Sequence, residues 1–268
     1  MTAETENSRH TMHGLAIVPT KDALEKEGLD GEGALARQVY RLIRRLVVDL
    51  ILLPNQFLSE KDVAASLGIS KTPVREAFIR LAEDGIVRIV PKSGTYVAPV
   101  DFERAKEGCF IWSALESSCA ERAAEQCSMG DIRRLRDELG RMRQCADSGD
   151  AAGFAAAREA IHRVIYEAAD LPDAEKLVEA ARFEVDRVLH VVELRGRGPM
   201  PGVFAEYSDI VNAIALHQPE AARECVLRHM RRVQDIVSAG AGDGEVAALF
   251  AFLDRKRPGT RRSRAERG

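Results

Sequence analysis

The stretch from Leu58 to Val97 constrains the fold of this chain more than any other part of it. Its first part has the pattern of a short helix that Ser59 can cap and Gly68 ends. Its second part repeats apolar residues at the three-to-four spacing of a buried helical stripe, and Ser70 can cap that helix. The apolar positions of the two helices are Val63, Ala64, Leu67, Val74, Ala77, Phe78 and Leu81.

Two short apolar runs, Ile86 to Val90 and Thr95 to Val97, follow the second helix and are joined by a turn. Helix, tight turn, helix and β-hairpin in this order form a winged helix-turn-helix, whose second helix enters the major groove of DNA. The same pattern would suit any small three-helix unit with a hairpin. In that alternative, Lys71, Arg75 and Lys92 are ordinary solvated charges.

The residues themselves favour the DNA-binding interpretation. The run from Gly68 to Ala77, with the wing from Gly94 to Val97, closely resembles the DNA-binding domain of the GntR superfamily of bacterial transcription regulators, and the resemblance extends from about Leu35 to Val97. In that family the positions that match Lys61, Lys71, Arg75 and Gly94 contact DNA. The family commonly has Arg where Lys71 stands, so the resemblance implies a point charge in place of a bidentate contact.

Helix geometry suggests a role for each candidate DNA contact. The hydroxyls of Ser70 and Thr72 and the nearby backbone N–H groups lie at a helix N-terminus, where a phosphate is favoured. Lys71 and Arg75 are four residues apart and therefore share a face. Arg75 has the fork that can read guanine, or alternatively forms an intrahelical salt bridge. Lys92, in the turn of the wing, completes the set.

The segment before this stretch predicts an arm and a helix. Residues 1–32 mix charged and small residues with little periodicity, so we predict a flexible arm. Leu35 to about Leu50 has one apolar face and predicts a helix that packs across the helix-turn-helix. The related proteins usually carry Gly where Leu50 and Asn55 stand. We expect a similar turn, since Asn tolerates a left-handed backbone.

Residues 99–240 are patterned as helices almost throughout, without a strand pattern. The predicted helices cover 102–127, 130–147, 150–169, 173–194, 203–216 and 218–238. About six antiparallel helices make a bundle large enough for an internal pocket. The predicted fold is therefore mainly α, with an arm (1–32), a winged helix-turn-helix with a small β-hairpin wing (33–98), an all-α effector-binding and dimerisation domain (99–240) and a C-terminal extension with a basic tail (241–268).

Charge and composition agree with this division. Residues 33–98 carry ten Lys and Arg against six Asp and Glu, whereas residues 99–253 carry nineteen against twenty-seven. A basic first domain beside an acidic second one is typical of a polyanion-binding protein. The five cysteines are dispersed and no apolar run reaches membrane-spanning length, so we expect a cytoplasmic protein with no membrane partner. No catalytic motif is present, and we predict that the chain is not an enzyme.

The second domain resembles the all-helical, ligand-sensing domain of the FadR-like (FCD) branch of the same superfamily. The segments that carry the resemblance are Leu115-Glu116, Ile161 to Ala169, Ile210 to Ile214, Pro219 to Ala222 and Arg228 to Met230. Members of that branch bind small carboxylates or related metabolites, usually as homodimers. The resemblance therefore implies a homodimeric repressor that binds a double-stranded DNA operator and responds to a small organic acid.

Many relatives hold a divalent metal with one Asp and three His, and this chain departs from that pattern. It keeps two of these histidines as His162 and His229, but Arg158 stands at the Asp position and Tyr207 at the remaining His position. A guanidinium among the ligands repels the metal that it replaces. We therefore predict no metal cofactor.

Our hypothesis is that Arg158 takes over the role of the metal. An arginine can hold a ligand carboxylate with two parallel hydrogen bonds. Tyr207, His162 and His229 would then supply hydrogen bonds to the effector. Trp112, where relatives often have Arg, would form a flat apolar wall.

Three alternatives remain open from the sequence. In the first, His162 and His229 are core polar residues and Arg158 points to solvent. In the second, Glu159 or His190 substitutes as a ligand and a divalent metal is bound after all. In the third, bulky aromatic residues fill the pocket and DNA binding is independent of any ligand.

Overall fold

The computed structural model describes residues 11–12, 15–16, 20–29, 33–194 and 200–242. The chain forms two compact units, the first extending to Val100 and the second running from Asp101 to Ala241. The fold is mainly α-helical with small antiparallel sheets, which confirms the predicted class. None of the helices in the described ranges is long and apolar enough to cross a membrane.

The first unit contains the predicted helix-turn-helix and wing. Its described elements are β1 (Thr11–Met12), β2 (Leu15–Ala16), α1 (Thr20–Glu27), α2 (Leu35–Val48), β3 (Phe57–Leu58), α3 (Glu60–Ser66), α4 (Lys71–Glu83), β4 (Val87–Val90) and β5 (Gly94–Val97). Helix α2 packs against α4. All four predicted apolar positions of α4 are buried, as are those of α3 except Leu67, which is half-buried at its C-cap. Each large apolar side chain buried in this way contributes about 1.5–3 kcal/mol.

The wing is a three-stranded antiparallel sheet in the order β3-β5-β4. The hairpin pairs Ile89 with Thr95, and β3 adds a pair between Phe57 and Tyr96. Strand β3 was not predicted from the sequence, because two residues are too few to show the alternation that identifies a strand. This strand places the Phe57 ring against the wing.

The turn after α2 has the predicted left-handed backbone. Leu50 has φ +52° and Asn55 has φ +62°, although neither is a glycine. The Asn55 N–H donates to the carbonyl of Val97 at 3.0 Å, and Arg88 Nη2 donates to Asn55 Oδ1 at 2.6 Å. These bonds tie the turn to the wing and hold its unusual conformation.

The prediction of a flexible arm was wrong for residues 20–27, which form α1. Ala23 and Leu24 are buried at 3% and 1% exposure, and α1 packs against α3. Gln56 Nε2 donates to Thr20 Oγ1 at 2.9 Å. Two apolar residues in a polar segment give no helical period, so only the tertiary packing reveals this helix. The remainder of the arm and the predicted basic tail lie largely outside the described residues.

The second unit is a helical bundle around one long helix. Its elements are α5 (Phe102–Gln126), α6 (Met129–Ser148), α7 (Ala151–Ala168), α8 (Ala174–Ala181), α9 (Phe183–Leu194), α10 (Met200–Ala215) and α11 (Pro219–Gly242). Helix α5 contacts α7, α8, α9 and α10, so its buried face lies at the centre of the bundle. Side-chain caps fix the first turns: the Asp101 carboxylate accepts the N–H of Glu103 and of Arg104, and Ser128 forms a capping box with Asp131.

One predicted helix, residues 173–194, is in fact two helices that meet at Arg182. The carbonyl oxygen of Ala181 lies against α5 at Gly108, where an added Cβ would stand only 2.2 Å from that oxygen. The Arg182 side chain is buried at the junction. The helix therefore ends where the backbone of Ala181 packs closely against α5 and the Arg182 guanidinium turns inward. The spacing of apolar residues in the sequence shows neither feature, so the break was not predicted.

Candidate DNA-binding surface and effector site

The helix-turn-helix begins each of its helices at a serine, but the two serines behave differently. Ser59 Oγ accepts the N–H of Asp62 at 3.3 Å, as a cap should. Ser70 occupies the N-cap position of α4, yet its side chain makes no capping hydrogen bond, which corrects the predicted cap. The Ser70 hydroxyl is exposed at the N-terminus of α4, where it can meet a phosphate.

The predicted basic contacts all lie on the surface of the first unit. Lys61 is in the first turn of α3, and Lys71, Thr72 and Arg75 are exposed in the first two turns of α4. The ion pairs within the described ranges include none to Arg75, so the alternative of an intrahelical salt bridge is not found there. A guanidinium exposed on this helix is able to reach a base edge.

The wing turn combines an exposed charge with a glycine that packing requires. Lys92 is exposed and has φ +61°. Gly94 has φ +124°, and a Cβ at this position would lie 2.4 Å from Phe57 Cε2. The Tyr96 hydroxyl lies 2.8 Å from Ser93 Oγ and closes the turn. Gly94 therefore has a structural reason to be glycine besides any DNA contact.

In the second unit, three predicted effector residues lie together. His162 Nε2 is hydrogen-bonded to the Tyr207 hydroxyl at 2.7 Å, and the Trp112 and His162 rings are 5.9 Å apart, edge to face. All three side chains are buried. Helices α5, α7 and α10 thus supply one residue each to a common cluster.

The centre of this cluster is Glu116, whose role the sequence analysis missed. Its carboxylate accepts from His162 Nδ1 at 2.6 Å, from Trp112 Nε1 at 3.2 Å and from the Tyr166 hydroxyl. Burial alone would raise the pKa of Glu116, but the charge of His162 and these hydrogen bonds outweigh burial and lower it. A glutamate inside the apolar stripe of α5, four residues after Trp112, was the signal that could have revealed it.

Arg158 does not act alone. Its Nε lies 3.9 Å from Glu159 Oε1, and the same carboxylate is bound by Nη2 of Arg182. The Arg182 guanidinium lies over the Trp112 ring at 5.3 Å, and its Nε is 3.2 Å from Asp186 Oδ2. Arg182 is only 8% exposed, and the sequence did not predict it as a site residue.

His229 belongs to a neighbouring network. Its Nδ1 donates to Glu206 Oε2 at 2.6 Å, and Arg232 Nη1 donates to Glu206 Oε1 at 2.7 Å. Burial would raise the pKa of Glu206, but the hydrogen bonds from His229 and Arg232 outweigh burial and lower it. The His229 ring lies 5.1 Å from that of Tyr207, which links the two networks.

These residues do not fit a metal ion. Both ring nitrogens of His162 are hydrogen-bonded, one of them to the Tyr207 hydroxyl that stands at a ligand position. The substitute ligand Glu159 is bound by Arg182. Among the residues that the structure describes, His190 included, no group of three His, Cys, Asp or Glu side chains could hold a metal.

A cleft of about 130 Å³ lies beside α5 and contains none of the predicted effector residues. Its lining consists of Arg104, Glu107, Gly108, Ile111, Ala180, Ala181, Phe183 and Glu184. Burial raises the pKa of Glu184 in spite of the nearby Arg187, whose Nη1 donates to it at 3.1 Å. No pattern in the sequence predicted this cleft.

Comparison with known proteins identifies both units. Residues 35–97 match the family described as bacterial regulatory proteins, gntR family, and residues 111–232 match the FCD domain. The chain is 29% identical over 201 residues to the HTH-type transcriptional repressor RspR of Escherichia coli, covering 75% of this chain and 88% of that protein.

Two further similarities extend over most of the chain. It is 32% identical over 204 residues to an uncharacterised HTH-type transcriptional regulator of Streptomyces ambofaciens, covering 74% of this chain and 83% of that protein. The structure of E. coli McbR/YncC superposes with a TM-score of 0.66 at 23% identity, over 77% of this chain and 98% of that one, and shows the same fold.

Proposed function

The chain belongs to the GntR family of bacterial transcriptional regulators and carries an FCD domain, and from this premise we propose that a small organic acid, bound within that domain, weakens its binding to operator DNA. Repression is the activity named for similar proteins, RspR among them. An acid that releases the protein from DNA would switch the repressed genes on.

The observation that carries the proposal is the pair of guanidiniums beside the buried cluster. Arg158 and Arg182 both approach one carboxylate at the edge of the bundle core, next to Trp112. Guanidiniums bind carboxylates strongly because two parallel N–H groups match the two oxygens. An organic acid therefore suits this place better than a neutral or cationic metabolite does.

The DNA-binding half of the proposal rests on exposed groups of the first unit. Lys61, Ser70, Lys71, Thr72 and Arg75 lie on or between the two helices of the helix-turn-helix, and Lys92 and Gly94 lie at the wing. As a homodimer, the protein would present two such heads to half-sites about one helical turn apart. Such a protein would act in the cytoplasm, where bacterial DNA is found.

The effector changes DNA affinity only by binding one conformation of the protein more tightly than the other. To change a population from 1:99 to 99:1, the acid must prefer the non-binding conformation by about 10⁴-fold. Rearrangement of a buried, charged network supplies such a preference, since interior ion pairs are costly to leave incomplete.

The test has two stages. Selection from random duplex DNA with the full chain defines the operator, and Arg75→Ala should weaken operator binding and relax the selected sequence. Melting shifts against aliphatic and aromatic carboxylates then identify candidate acids, which are titrated into a band-shift assay. Arg158→Ala and Arg182→Ala should lose the response to the acid, whereas Arg163→Ala, whose partner is the surface residue Glu175, should keep it.

A second candidate function is a ligand-independent repressor with a filled core. The closed hydrogen-bonding of Glu116, His162 and Tyr207 favours it, because each of these groups already has protein partners. In this case no acid raises the melting temperature. A ligand that binds only the folded state must raise it, because at a hundred times its Kd it stabilises that state by about 2.7 kcal/mol.

A further inference from the structure

We propose that Glu159 is a built-in carboxylate that occupies the anion site formed by Arg158 and Arg182, and that an effector carboxylate binds by displacing it. The inference rests on the proposed function and describes how the same site is kept closed without ligand. Glu159 entered the sequence analysis only as a substitute metal ligand.

Both guanidiniums lie within ion-pair distance of a single oxygen atom. Glu159 Oε1 accepts a hydrogen bond from Arg182 Nη2 and lies 3.9 Å from Arg158 Nε. Arg158 and Glu159 are neighbours on α7, whereas Arg182 comes from the junction of α8 and α9. The carboxylate therefore bridges two elements of the bundle, and its removal opens a gap between two positive charges.

Exposure shows which of the three groups is able to leave. The Arg182 side chain is 9% exposed and that of Arg158 is 19% exposed, whereas the Glu159 side chain is 40% exposed. Glu159 thus has the most exposed side chain of the three. In our proposal its carboxylate rotates into water, and the incoming carboxylate takes its place.

Arg182 has supports that do not depend on Glu159. Asp186 Oδ2 lies 3.2 Å from its Nε and is largely buried, and the Trp112 ring lies beneath its guanidinium at 5.3 Å. The cation–π contact and the second carboxylate hold the guanidinium in place when Glu159 leaves. The site is therefore preorganised for a replacement anion.

The charge balance selects the class of ligand. Burial alone would raise the pKa of Glu159, but the charge of Arg182, followed by those of His162 and Arg158, outweighs it and lowers the pKa to about 2. The place is therefore suited to an ionised carboxylate at neutral pH. Replacing one carboxylate with another leaves the net charge of the site unchanged, whereas a neutral ligand would remove one negative charge from beside the two guanidiniums.

The test is a rescue experiment on the full chain with acetate as the probe. Glu159→Ala leaves the site without its carboxylate, and acetate should refill it. Melting is followed by the fluorescence of Trp112, the only tryptophan of the chain, during titration with sodium acetate at constant ionic strength against sodium chloride. We expect a saturable rise in the melting temperature of Glu159→Ala, half-complete at an acetate concentration at least about tenfold lower than in the wild type.

A matched control separates this site from general salt effects. Glu175 is 41% exposed and lies 3.2 Å from Arg163 Nε, so it resembles Glu159 in exposure and partner but lies in an exposed pair. Glu175→Ala should respond to acetate as the wild type does. Adding Arg182→Gln to Glu159→Ala should abolish the rescue. If Glu159→Ala does not fold, Glu159→Gln serves as the second variant, with the same expected gain in acetate affinity.

The inference is overturned if the acetate responses of the Glu159 variants equal that of the wild type, or if the rescue survives loss of the Arg182 guanidinium. Its failure is distinct from that of the proposed function. Acetate rescue, combined with an operator affinity that no carboxylate alters in the wild type, would refute the proposed function and leave the displaceable Glu159 standing.

Discussion

Glu116→Gln tests the buried network most severely, because it changes almost nothing in shape. The carboxylate is 2% exposed and accepts hydrogen bonds from His162, Tyr166 and Trp112. Glutamine keeps one acceptor oxygen but turns an NH₂ group toward one side of the network. In one orientation that NH₂ group faces the N–H of Trp112 and the hydroxyl of Tyr166, and the Trp112 N–H loses its acceptor. In the other it faces His162 Nδ1, which can accept from it only without a proton, so the charge pairing of Glu116 with His162 is lost.

The expected loss of stability follows from this geometry. A hydrogen bond to a charged group is worth about 1.5–3 kcal/mol, and breaking a buried ion pair from one side costs about 3–5 kcal/mol. Because glutamine keeps one acceptor oxygen, we expect the loss of unfolding free energy to lie at the lower end of the second range, at about 3 kcal/mol. With a urea m-value of about 1–3 kcal/mol/M, the unfolding midpoint of the second unit should fall by about 1–3 M.

Trp112 makes the assay specific to this unit, since it is the only tryptophan and lies in the network itself. Urea unfolding is followed by its fluorescence in both variants. The control is Glu121→Gln, also on α5, because Glu121 is 31% exposed and lies 3.0 Å from Arg223 Nη1. Such a surface pair should lose less than about 1 kcal/mol. Equal midpoints for the two variants would refute the assignment of Glu116 as the hub.

Three further changes have defined outcomes. Gly94→Ala should destabilise the wing by about 1–3 kcal/mol because its Cβ would lie 2.4 Å from the Phe57 ring, and Phe57→Ala should partly restore the amide-exchange protection of β5. Gly108→Ala should lower the melting temperature of the second unit, seen by tryptophan fluorescence, because its Cβ would lie 2.2 Å from the Ala181 carbonyl oxygen, which cannot rotate away as a side chain does. A lowering of the Glu159 pKa from 4.5 to about 2 corresponds to about 3 kcal/mol, which solvent screening at 40% exposure reduces to about 1 kcal/mol. This stability is fully present above pH 4.5 and is lost as the pH falls toward 2. The unfolding free energy of Glu159→Gln should therefore change less between these two pH values than that of the wild type.

The sequence predicted those elements whose pattern repeats over several turns. The stripe of Val74, Ala77, Phe78 and Leu81 is buried on α4 as expected. Apolar residues at helical spacing lie on one face, and that face is removed from water only when the helix packs against another element. Short elements were missed for the opposite reason. Strand β3 has two residues, and α1 buries two residues in an otherwise polar segment.

The candidate site was predicted only in part, because it depends on ion pairs between residues that lie far apart in the sequence. His162, Tyr207 and Trp112 come together as the matched family pattern suggested. Arg182 was missed because the apolar period of residues 173–194 runs through it without a visible break, whereas its two carboxylate partners belong to different helices. A single charge in an apolar period gives no clue to its partner until the fold supplies one.

The most direct test of the account is the affinity of the wild-type protein for its selected operator, measured during titration with the carboxylates that raise its melting temperature. The ionic strength is held constant, because phosphate contacts make DNA affinity depend steeply on salt. We predict that at least one of these acids weakens operator binding by tenfold or more, and that Arg182→Ala removes this effect of the acid. An operator affinity that stays the same with every such acid would contradict it.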